Sequence, residues 1–105
     1  MKQMLRFEIL LPLYYNDGRQ IELERFVQTD EEIVAQFGAT STDAVVVKGH
    51  WKYRSTFYED RLIRLRVDAQ NSKKNITFFR QYKEVLKTRF EQEDIWITAQ
   101  QINVI

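Results

Sequence analysis

At 105 residues, with 44% hydrophobic and 30% charged side chains, the chain is sized for one domain, residues 1–105, with a core that closes without cross-links. The absence of cysteine removes disulfides, thiolate metal sites and cysteine nucleophiles together. A net charge of +1 leaves no bulk attraction for nucleic acid or an anionic membrane, so any such binding must come from a local patch.

The opening Met1-Lys2-Gln3-Met4 leads into a stretch broken by Arg6 and Glu8, unlike the uninterrupted apolar core of a secretory signal. Leu5, Phe7, Ile9, Leu11 and Leu13 then alternate with polar residues, the period of a half-buried strand. Leu10 breaks the alternation and implies cover on both faces of the strand's outer half. Pro12 has no amide hydrogen, so the strand ends there or presents that position away from a neighbour. Asn16-Asp17-Gly18 reads as a turn.

From Leu23 the period changes. Leu23, Phe26, Val27, Ile33, Val34 and Phe37 recur at helical spacing, and Gly38 suits the left-handed position after the last turn. Thr29 and Glu32 have the spacing of a capping box, which leaves open a restart at Thr29; one helix with an irregularity there is preferred. Ala44 to Tyr53 is rich in valine and aromatics and reads as a strand. Arg54 to Phe57 forms a short connection, and Leu62 to Val67 alternates as a third strand.

Asn71 or Ser72 caps the next helix, whose stripe is Ile76, Phe79, Tyr82, Leu86 and Phe90. Lys83, Lys87 and Arg89 near its end complement the helix dipole. Ile95, Ile97 and Ala99 alternate in a last strand that can run on to Val104. Strand, helix, strand, strand, helix, strand with right-handed crossovers predicts an α+β, ferredoxin-like βαββαβ fold. Its four-stranded antiparallel sheet carries both helices on one face, in the order 4-1-3-2.

The chain also resembles an uncharacterised bacterial family of short ferredoxin-like proteins. The likeness rests on Tyr14-Tyr15-Asn16-Asp17-Gly18, on Phe26 near the first helix start, on Gly49-His50-Trp51, and on Lys87-Thr88-Arg89-Phe90. The resemblance implies the fold and supplies no catalytic residue.

Few residues suggest chemistry. His50 is the single histidine, the natural general base near neutral pH, with Glu59 and Asp60 able to approach it across the hairpin. It has no metal-ligand spacing around it, so no metal and no cofactor is expected, and a packed or surface histidine is the plainer reading. In the predicted strand order, Arg6, Glu8, Arg64, Arg66 and Trp96 share the face opposite the helices. Guanidinium beside an aromatic ring is how some proteins hold single-stranded nucleic acid, but Glu8 lies among the arginines and no glycine-aromatic signature accompanies them. Tyr14, Tyr15, Asp17 and Arg19 either rim a pocket or serve ordinary turn chemistry. Lys73, Lys74, Arg80, Lys83, Lys87 and Arg89 give the second helix a basic outer surface, interrupted by Glu84.

Three functions follow. The favoured one is a non-catalytic binding module, cytoplasmic, recognising a protein or small ligand and homodimeric through the uncovered sheet face, with Trp51, Tyr53 and Trp96 in the interface. The second is a small enzyme with a pocket between sheet and helices worked by His50, Tyr53 and Arg66. The third is a single-stranded nucleic-acid binder using Arg6, Arg64, Arg66 and Trp96. Membrane partners are not expected.

Overall fold

The computed structural model describes residues 1–53 and 56–105, with the side chains of 43–60 outside the description. The elements follow in the predicted order: β1 (Lys2–Pro12), α1 (Leu23–Phe37), β2 (Ser41–Tyr53), β3 (Thr56–Ala69), α2 (Lys73–Arg89) and β4 (Trp96–Val104). The sheet runs β2-β3-β1-β4 and every pairing is antiparallel, so β1 and β3 are central. The fold is α+β and ferredoxin-like.

Alternation in β1 and β3 separates the two faces of the sheet. Leu5, Phe7, Ile9 and Leu11 of β1 are buried, as are Leu65, Val67 and Ala69 of β3. These residues pack in one core with Ile33 of α1 and with Phe79, Tyr82 and Leu86 of α2. Aromatic rings fill the space between sheet and helices. Phe7 stacks on Phe79 with centroids 4.1 Å apart, Phe37 stacks on Phe79 at 5.3 Å, and Phe26 meets Phe90 edge-on at 5.2 Å.

Local signals explain most boundaries. β1 stops at Pro12. The turn after it closes through Tyr15 N donating to Arg19 O and Gly18 N to Tyr15 O, with Gly18 at φ +89°. The side chain of Asp17 accepts the Arg19 amide at 3.0 Å. Helix α1 is a single piece, and Gly38 takes the left-handed cap at φ +85°. Thr29 does not restart it: its hydroxyl donates one turn back to the Arg25 carbonyl. Ser72 caps α2 by accepting from Asn75 N.

Three features depart from the sequence reading. Leu23, Val27 and Val34, assigned to the buried stripe of α1, are exposed, Leu23 by 72%. The inward row is Phe26, Thr29, Ile33 and Phe37, because the helix meets the sheet over a narrow contact. The β2–β3 hairpin is longer than predicted, with Thr56 and Phe57 inside β3 rather than in the connection. Pro12 and Leu62 mark the outer limit of the β1–β3 ladder, so beyond it β2 and β3 pair with each other. Arg89, read as part of a basic surface, is buried.

Candidate functional site

Arginine 89 organises the contact between the two helices. Its guanidinium donates to the Thr29 hydroxyl at 2.9 Å and to the Glu32 carboxylate at 2.7–3.0 Å. Tyr82 donates to the same carboxylate at 2.9 Å. Burial, then the bond to Glu32, pushes the Tyr82 phenol up to about 12, so it stays protonated and keeps donating at neutral pH. Outside this cluster runs an open groove of ≈ 550 Å³ lined by Arg25, Gln28, Glu84, Val85, Thr88 and Arg89. It offers charges but no ring on which a base or nucleoside could stack.

The opposite face of the sheet is chemically richer. Register across β3, β1 and β4 arranges its side chains in rows: Asp68, Arg6 and Gln100; then Arg66, Glu8 and Thr98; then Arg64, Leu10 and Trp96. Arg6 binds Asp68 through two bonds of 2.9 and 3.1 Å. Arg64 stands 3.7 Å from the Glu8 carboxylate. Trp96 is 64% exposed beside the half-buried Leu10. The alternation-breaking Leu10 thus forms, with Trp96, an apolar shelf next to a carboxylate and two guanidinium groups.

Arg6 holds the Asp68 carboxyl below its ordinary value of 3.8, mainly by donating to it and secondarily by its charge, with Arg66 adding to the effect. The Lys83 ammonium lowers Asp94, and the Arg19 amide followed by its guanidinium lowers Asp17. Each folded value lies below the unfolded one, so this stabilisation is complete above the unfolded value and is lost as pH falls through the folded one. The urea midpoint should therefore decline as pH falls below about 4, and Asp68→Asn should make that decline shallower. Identical acid limbs in the two proteins would remove Asp68 from the account.

The structure brings Arg6, Arg64, Arg66 and Trp96 to one face. Carboxylates sit among them: Asp68 on Arg6 and Glu8 by Arg64, an arrangement that works against binding a phosphate chain. Tyr15 is buried and donates to Glu22, Tyr14 is exposed, and Arg19 lies 4.7 Å over the Tyr15 ring, contacts that brace the turn. The side chains of His50, Trp51 and Tyr53 lie outside the described residues. Their backbone register is defined: His50 stands opposite Glu59 and Tyr53 opposite Thr56.

That register corrects the proposed trio. Arg66 pairs with Ser41, and the position opposite His50 lies seven residues away along β3, roughly 23 Å. Arg66 also points to the face opposite the helices, whereas the interior between sheet and helices is filled by Ile9, Leu11, Ile33, Leu86 and Phe90. His50, Tyr53 and Arg66 of one chain do not share a sheet–helix pocket. Sequence reasoning also missed the Arg89 cluster, whose partners are 57 and 60 residues distant.

No protein family and no curated protein matches the chain. Solved structures do resemble it. A phage SAM lyase in complex with S-methyl-5'-thioadenosine aligns with a TM-score of 0.67 and 17% identity, covering 96% of this chain and 90% of that one. A phage SAM lyase in its apo state aligns with a TM-score of 0.64 and 20% identity, covering 94% and 81%. At such identities the likeness establishes the fold. It nevertheless corrects the favoured reading of a non-catalytic module, because the fold matched over nearly the whole chain is carried by an enzyme. No described helix is long and apolar enough to cross a membrane.

Proposed function

We propose that the chain is a small enzyme that cleaves S-adenosylmethionine, releasing S-methyl-5'-thioadenosine, from a site on the open sheet face. The observation that carries this reading is the end-to-end structural match to SAM lyase. Chemical fit at the face supports it. S-adenosylmethionine combines a flat purine, a sulfonium cation and an amino acid. Trp96 and Leu10 offer the purine an apolar surface, and stacking on an aromatic ring contributes about 1–3 kcal/mol per base. Glu8 supplies a negative charge for the sulfonium, and Arg64 a guanidinium for the substrate carboxylate.

Cleavage breaks the bond between sulfur and the four-carbon fragment, with the electron pair going to sulfur. The thioether leaves neutral, and the fragment either loses one proton or closes on its own carboxylate. As the positive charge leaves sulfur and grows on the adjoining carbon, a fixed carboxylate at Glu8 stabilises the transition state. Removing one such electrostatic group typically costs 10²–10³ in rate.

Incubating the purified chain with S-adenosylmethionine should yield S-methyl-5'-thioadenosine, read by liquid chromatography against a buffer control. Glu8→Gln should lower kcat about 100-fold, and Trp96→Ala should raise KM about tenfold with a smaller change in kcat. Circular dichroism verifies that both variants fold. Turnover no faster than the buffer control sinks the reading, and full activity in Glu8→Gln moves the site off this face.

A further inference from the structure

The two edges of the sheet are unlike. β2, at one edge, contains Asp43, Lys48 and Lys52 and a register irregularity between Asp43 and Val47. Charges and bulges of this kind keep an edge strand from pairing with another chain. β4, at the other edge, reads Trp96-Ile97-Thr98-Ala99-Gln100-Gln101-Ile102-Asn103-Val104. It has no charged residue and no proline, in a chain of which 30% is charged. Only Ile97 and Ile102 are half-buried, and the other seven positions are exposed. An extended strand of nine residues, roughly 30 Å long, thus offers unpaired amides and carbonyls along its outer side with none of the usual protection.

We propose that β4 pairs antiparallel with β4 of a second copy of this chain, joining two four-stranded sheets edge to edge. The occupant follows from charge and symmetry. A two-fold axis through Gln100 sets Trp96 of each copy against Val104 of the other, Thr98 against Ile102, and Gln100 against itself. Residues near such an axis meet their own kind, so a charge there would face a like charge. An uncharged strand meets that condition, and it sets Trp96 beside Val104 of the other copy as an aromatic–β-branched cross-strand pair, with the indole face still open. Closure at two copies follows from the protected β2 edge. This interface uses the rim of the sheet and not its face, and it holds whatever reaction the face performs.

Size-exclusion chromatography with light scattering on the full chain should give twice the 12.7 kDa chain mass. Gln100→Lys and Gln100→Glu, each alone, place like charges opposite one another and should shift the protein to monomer with an unchanged circular dichroism spectrum. Mixing the two variants should restore the dimer as a mixed pair, which a merely unfolded or damaged variant would not do. A wild-type monomer at high concentration, a mass above two chains, variants that remain dimeric, or a mixture that stays monomeric would each overturn the proposal.

Discussion

Arg89→Met should destabilise the protein by about 3 kcal/mol, because it breaks a largely buried ion pair and strands its neighbours. The guanidinium side chain is 8% exposed and bridges α2 to Thr29 and Glu32 of α1. Without it the Thr29 hydroxyl, fully buried, loses a donor, and among the described residues the Glu32 carboxylate keeps only Tyr82. Glu32 is 40% exposed and can turn towards water, which holds the cost near the lower end of the usual 3–5 kcal/mol. Thermal unfolding followed by circular dichroism should show a fall in Tm of roughly 15 °C. Arg89→Met combined with Glu32→Met should cost less than the sum of the two single changes, since the pair is removed together. A loss below about 0.5 kcal/mol in Arg89→Met would show that the helices are held by the aromatic core alone.

Phe79→Ala should cost about 4 kcal/mol, in the range for truncating a buried phenylalanine. Phe79 is 3% exposed and stands where β1, α1 and α2 meet: it stacks on Phe7 and Phe37 and contacts Phe78 edge-on at 5.2 Å. Removing it opens a void against both central layers and lowers the urea midpoint and Tm, the latter by roughly 20 °C. Phe79→Leu should recover most of the loss because it refills much of the volume. If alanine is tolerated within 1 kcal/mol, on the order of a surface substitution, the stacked rings do not form the centre of the core.

Local patterns were legible. The change of period at Leu23, the glycine at position 38 and the capping serine at position 72 each act within one turn of their own position, and the structure uses all three. The grouping of Arg6, Glu8, Arg64, Arg66 and Trp96 was also readable, since alternation fixes a face once strand order is known. What escaped was everything that depends on distant partners. Arg89 looked like a dipole-complementing surface residue because its bonds reach across 57 and 60 residues. Leu23, Val27 and Val34 have the right spacing, but helical spacing does not say how wide a contact the sheet will accept. The trio of His50, Tyr53 and Arg66 failed on register, which no single strand reveals. No reaction was legible on the sheet face, because charged pairs beside the exposed indole of Trp96 resemble an ordinary solvated surface.

The placement of β1 between β3 and β4 carries a kinetic consequence. Phe7 is flanked by Val67 on one side and Ala99 on the other, partners that follow it by 60 and 92 positions. Such remote pairings raise the loop-closure entropy of the folding barrier and slow the reaction relative to a helical bundle of equal size. During synthesis the first strand waits, half its ladder unmade, until the final nine-residue strand has left the ribosome, whereas the adjacent β2 and β3 can zip together long before.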